Sequence, residues 1–120
     1  MQDEKILETS ILNWLNTINN CFAWKVNNMG TFDPKRKVFR TLKNKHSHKG
    51  VPDISGVYKG KAFFIEVKSG KNLPTAHQKI FMLKLHYSGA IAFWTNDLEK
   101  CKKSFMEKIE IDRLDLSNFN

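Results

Sequence analysis

Three residues of this chain have the types and spacing to hydrolyse a phosphodiester: Asp53 in Gly50-Val51-Pro52-Asp53, then Glu66 and Lys68 in Glu66-Val67-Lys68. The stretch between them, residues 54–65, is two short apolar runs broken at Lys59-Gly60, which is the signature of a β-hairpin. With Lys59-Gly60 as a two-residue turn, Tyr58 faces Lys61, and counting outward sets Asp53 opposite Glu66. Cross-strand partners hold their Cβ atoms roughly 4.5–5.5 Å apart. Two carboxylates that close repel each other unless a cation sits between them, and an open cluster of oxygen ligands is what Mg²⁺ prefers. Lys68, two residues beyond Glu66, projects from the same face of the strand. A Glu-x-Lys pair can also be a plain ion pair on an edge strand. Here, however, Glu66 interrupts the run Ala62-Phe63-Phe64-Ile65 and Val67, which reads as buried on both faces. A buried carboxylate is costly without a partner or a metal.

Phosphodiester hydrolysis needs a hydroxide nucleophile, a Lewis acid at the non-bridging oxygens and help for the departing 3′ oxygen. A divalent metal supplies the first two by acidifying water and polarising the phosphoryl group. An ammonium beside it adds preorganised positive charge. The sequence contains no glycine loop of the phosphate-cradling kind, so nucleotide hydrolysis is not supported.

The charge distribution fits a polyanionic substrate. Residues 25–71 carry twelve Lys or Arg against three acids, a local excess of +9, whereas the rest of the chain sums to −1. Two of those three acids are Asp53 and Glu66, so the basic surface surrounds the candidate site. With 120 residues the chain is expected to form one domain with a single core, and its 41% apolar content supports a folded globule. No apolar run approaches the ~20 residues a membrane helix needs, and residues 1–5 do not read as a signal peptide. Cys21 and Cys101 lack metal-ligand spacing and are expected to be reduced thiols of an intracellular protein.

The elements that must position the site follow from periodicity. Leu7, Ile11, Trp14, Leu15 and Ile18 form one stripe of a helix spanning residues 4–18, with Asp3 at its start. On that helix Glu4 falls about 30° from the stripe centre and Glu8 about 70°. Residues 22–26 alternate like a strand, and residues 38–40 read as a short strand or loop edge. Turn signals occupy Asn28-Met29-Gly30 and Asp33-Pro34, and residues 43–49 read as an exposed basic loop. After the hairpin, Thr75 caps a helix running to Tyr87 with Ile80, Phe81, Leu83 and Leu85 as its apolar positions. Residues 90–94 form a further strand, and Asp97 caps a last helix to about Ile109, with Leu98, Cys101, Phe105 and Ile109 inward. Helix, strand, hairpin, helix, strand, helix predicts an α/β fold with a mixed sheet and helices on both faces.

In this order the motifs resemble the PD-(D/E)XK nuclease superfamily, and within it the small stand-alone VRR-NUC domains of viruses and phages. The resemblance spans the Glu4/Glu8 helix to Trp94. Gly50-Val51-Pro52-Asp53-Ile54 is similar to the family's Asp motif, and Phe64-Ile65-Glu66-Val67-Lys68 to its Glu-x-Lys strand. Leu73-Pro74-Thr75-Ala76-His77-Gln78 resembles the loop into a helix bearing the motif Gln, and Gly89-Ala90-Ile91-Ala92-Phe93 the strand that follows. Asn27-Asn28-Met29-Gly30 resembles a recurrent Asn/Gly turn. The resemblance implies a restriction-endonuclease-like fold, a central mixed sheet with an antiparallel hairpin flanked by helices. It also implies a divalent-metal endonuclease for branched or structured DNA, similar to Holliday-junction resolvases and working as a homodimer. It further implies that Asp53, Glu66 and the Val67 backbone carbonyl hold Mg²⁺ or Mn²⁺, with Glu4, or alternatively Glu8, as the helix acid. Lys68 would orient the attacking water and stabilise charge on phosphate, and Gln78 would position the scissile strand or the water.

Arg36, Arg40, Lys43, Lys45, Lys49, Lys71 and His77 are the expected DNA contacts. Phosphate contacts of this kind position a duplex without reading its sequence, so binding should depend steeply on salt. His46 and His48 lie in a Lys-rich loop without zinc-finger spacing. Trp14, Trp24 and Trp94 fall in apolar patterns and are expected in the core. Three other readings remain: a non-catalytic nucleic-acid-binding module, a flap nuclease and a restriction-type nuclease. A pure binder gains nothing from clustered acids beside phosphate, and 120 residues leave little room for a base-reading element.

Overall fold

The computed structural model describes residues 3–26, 31–33, 38–40 and 49–117, with side-chain surroundings for 3–26 and 49–110. Asp3 accepts the Lys5 N–H and starts α1 (Glu4–Leu15), which buries Leu7, Ile11 and Leu15 completely. The helix stops a turn earlier than its apolar stripe predicts. Asn16 is the reason: its amide donates to the Leu12 and Ala23 carbonyls and accepts the Ala23 N–H. A side chain that competes for backbone groups in this way favours a helix end over continuation.

Strand β1 (Cys21–Lys25) pairs antiparallel with β4 (Ile54–Tyr58), β4 with β5 (Lys61–Val67), and β5 runs parallel to β6 (Ile91–Thr95), giving the order β1-β4-β5-β6. A separate two-stranded sheet joins β2 (Thr31–Asp33) to β3 (Val38–Arg40). The β4–β5 turn is Lys59-Gly60 with φ of 47° and 84°. Positive φ at both positions matches the strand twist and sets the hairpin register. The paired residues run from Tyr58↔Lys61 to Ile54↔Ile65, so Asp53 lies at the next step, facing Glu66. Gly56 sits under the Phe63 ring, which an added Cβ would meet at 2.2 Å.

One face of the sheet, with Ala23, Ile54, Phe63, Ile65, Val67, Ile91 and Phe93, packs on α1 and on α3 (Leu98–Ser117) through Cys101, Phe105 and Ile109. Phe105 meets Phe63 edge-on at 5.0 Å between ring centroids. Helix α2 (Ala76–Tyr87) joins β5 to β6 and reaches Glu66, which alternates to the second face. The fold is therefore α/β with a mixed sheet between helices, as the element order predicts. Three expectations change. Helix α2 buries only Met82, whereas Ile80 and Leu83 are about half exposed. Trp24 and Trp94 are 43% and 38% exposed rather than in the core. Helix α3 also continues well past Ile109.

Candidate active site

Two strand ends and a helix start converge on Glu66. The hairpin carries Asp53 and Glu66 to the same end of the sheet, and Asp53 is held at both its polar ends. Its carbonyl accepts the Val26 N–H at 2.8 Å, and its Oδ2 accepts the Val67 N–H at 2.9 Å. Gly50, with φ of 83°, lies so close to α2 that an added Cβ would meet the His77 and Gln78 backbone at 2.5–2.6 Å. The Asp motif is thereby pressed against the start of α2, and only glycine fits both the backbone angle and the space.

That helix start is a capping box. The Gln78 N–H donates to Thr75 Oγ1 at 3.2 Å, and Gln78 Oε1 accepts the Thr75 N–H at 2.8 Å. With its oxygen committed to the cap, Gln78 turns its Nε2 to Glu66 Oε1 at 3.0 Å. Lys68 Nζ stands 3.9 Å from the same Oε1, and its side chain is only 14% exposed. Glu66 itself is 2% exposed, and its other oxygen, Oε2, is buried with no hydrogen-bond partner. Burial first, and then the charge of the facing Asp53 and a hydrogen bond with it, push the Glu66 carboxyl up to about 8; Lys68 opposes this and Glu4 adds to it. That hydrogen bond exists only while one of the two acids is protonated. When both are ionised, Oε2 is an orphan acceptor beside a second carboxylate.

An orphan acceptor of this kind normally costs about 1–3 kcal/mol or more when charged. A cation removes that cost, so the residues present fit a hard divalent ion. Among the described residues no three His, Cys, Asp or Glu side chains converge into a closed cage. Asp53 and Glu66 would supply two oxygen ligands to such an ion, with the remaining ligands falling to backbone and water.

The helix acids behave differently from one another. Glu8 is buried, at 8% exposure, and pairs with Lys25 Nζ at 3.2 Å. Glu4 is half-buried and acts electrostatically on Glu66. The angular argument places Glu4 deeper than Glu8, and the structure reverses that depth because Lys25 neutralises Glu8 from β1. Of the expected DNA contacts, Lys49, Lys71 and His77 are exposed. Arg36, Lys43 and Lys45, with His46 and His48, lie outside the described residues, as does the Arg40 side chain.

No family model matches the sequence, and no curated protein does. A solved structure described as a VRR_NUC domain protein superimposes with a TM-score of 0.61 at 17% identity, covering 91% of this chain and 89% of its own. The chain has a VRR-NUC-like fold. Within that fold, two features of the site were not read from the sequence. Thr75-x-x-Gln78 has the spacing of a capping box, a signal that would have tied Gln78 to the helix start. The Glu8–Lys25 pair joins two elements far apart in the chain and has no local signal.

Proposed function

We propose that the protein is a divalent-metal-dependent endodeoxyribonuclease that cuts branched DNA, similar to a Holliday-junction resolvase. The observation that carries this reading is the buried Glu66 carboxylate, whose unpartnered Oε2 faces Asp53 with Lys68 alongside. In this reading Asp53, Glu66 and the Val67 carbonyl hold Mg²⁺ or Mn²⁺, which when bound supplies Lewis acidity and acidified water. The chain's own residues do the rest. Gln78 fixes Glu66 by occupying Oε1, so that Oε2 is the oxygen offered to the ion. Glu4, on the first turn of α1, adds negative potential that favours cation binding. Lys68 holds an ammonium at the edge of the pair, where it orients the attacking water and stabilises charge that develops on the phosphate. Lys49, Lys71 and His77, with Arg36, Arg40, Lys43 and Lys45, contact the DNA backbone. A four-way junction needs two symmetric cuts, so the reading includes a homodimer.

The test is cleavage of labelled four-way junction, flap and linear duplex DNA with Mg²⁺ or Mn²⁺, alongside EDTA and Asp53→Ala controls. Paired, metal-dependent nicks in the junction that Asp53→Ala abolishes are expected. Preference for flap or duplex would redirect the substrate assignment. Binding to every substrate without a cut in either metal would mark a non-catalytic nucleic-acid-binding module.

A further inference from the structure

A groove of about 500 Å³ lies between the end of β6 and α3, lined by Trp94, Asn96, Lys100, Lys103, Ser104 and Glu107. We propose that it binds a single strand of DNA, with an unpaired base stacked on Trp94 and the adjoining phosphates held by Lys100 and Lys103. The proposal rests on the nuclease reading above and adds to it where the strand runs beyond the cut.

The groove is built onto the candidate site. Trp94 is the register partner of Glu66 across the parallel β5–β6 pair. The Lys68 N–H donates to the Thr95 carbonyl at 2.9 Å, and Asn96 Nδ2 donates to the Gly70 carbonyl at 3.1 Å. The loop that carries Lys68 is therefore tied to Thr95 and Asn96 of the groove lining. Lys100, Lys103, Ser104 and Glu107 recur at three- and four-residue steps and share one face of α3. Neither Lys100 nor Lys103 has an ion-pair partner among the described residues, whereas Lys102 pairs with Glu99.

The chemistry selects the occupant. An indole stacks only on a base whose face is free, which an unpaired strand offers and a duplex interior does not. A volume within the roughly 300–1,000 Å³ of ordinary ligand clefts suits one or two nucleotides rather than a duplex. The ammonium groups of Lys100 and Lys103, without ion-pair partners among the described residues, complement phosphates. Glu107 at the far wall repels a further phosphate and limits the run.

The experiment is fluorescence anisotropy of a short labelled single-stranded oligodeoxynucleotide with the full chain in EDTA, so that nothing is cut. Trp94→Leu is expected to weaken binding roughly five- to a hundredfold, the worth of one stacked base, and Trp94→Phe to restore most of it. The double variant Lys100→Glu/Lys103→Glu should bind more weakly, with a shallower salt dependence, than a control with Lys59→Glu/Lys84→Glu elsewhere on the surface. Glu107→Gln, at an exposed position, should tighten binding. If the wild type binds and cleaves while all of these variants match it, the groove assignment is overturned and the nuclease reading stands. A wild type that neither binds nor cleaves overturns both. Groove variants that alter sedimentation but not oligonucleotide binding would assign the surface to a second copy and overturn the proposal.

Discussion

Strand β5 sends Ile65 and Val67 into the apolar core and Glu66, between them, into a site almost as dry. The two regions are built on opposite principles. Phe63 belongs to the buried apolar cluster, with Phe105 edge-on and Gly56 leaving room for the ring. Around Glu66 the neighbours are Asp53, Lys68 and Gln78, and one buried oxygen is left without a partner. The first region lowers the energy of the folded chain. The second keeps a carboxyl out of water beside another acid, so that ionising both carries a cost, which the core and the hydrogen bonds to Asp53 offset. Strain of this kind persists only where the surrounding structure over-determines it.

Substitutions can break this contrast in graded steps. Asp53→Ala removes one half of the pair and should lower metal-dependent cleavage on the order of 10²–10³-fold or more, measured as single-turnover rates, with thermal stability unchanged or raised. A loss of fold instead would mean that Asp53 belongs to the stabilising region. Phe63→Ala should destabilise the chain by about 3–5 kcal/mol in urea unfolding. A cost below about 1 kcal/mol would show that the core is looser than the Phe63–Phe105 contact implies.

Glu66→Gln sharpens the comparison through pH. The folded-state value of about 8 lies above the ordinary 4.5, so the folded chain binds this proton more tightly than the unfolded one. The stability it contributes is complete below pH 4.5 and is lost as pH rises through 8. In EDTA near pH 8, Glu66→Gln should therefore stabilise the protein by up to about 4 kcal/mol, and the gain should vanish by pH 4.5. Mn²⁺ should raise the Tm of the wild type and leave that of the variant unmoved. A variant less stable than wild type at every pH would remove Glu66 from the strained region. Thr75→Ala gives the smallest effect, about 1 kcal/mol from the lost cap. It should also weaken Mn²⁺ binding in calorimetry, with Thr75→Ser restoring it, because Gln78 is held toward Glu66 by that box.

Much of this architecture was legible from local pattern. The Lys59-Gly60 turn and the alternation around it set the hairpin register, and with it the meeting of Asp53 and Glu66, because a two-residue turn leaves only one way to count outward. Asp3, Thr75 and Asp97 marked helix starts, since capping depends on neighbours two or three residues away. The exposure of Trp94 and Trp24 was not legible. An apolar residue in an alternating run has the same pattern whether its face is covered by a helix or left open at a sheet edge.

Sequence alone therefore determined which side chains share a strand face and which residues start each helix, because both follow from bond geometry within a few residues. Tertiary structure alone decided the depth of Glu8 over Glu4, the unpartnered oxygen of Glu66 and the groove beside Trp94. Each of those depends on what a distant segment brings within a few ångströms. Burial and electrostatic pairing are properties of that meeting, not of either segment.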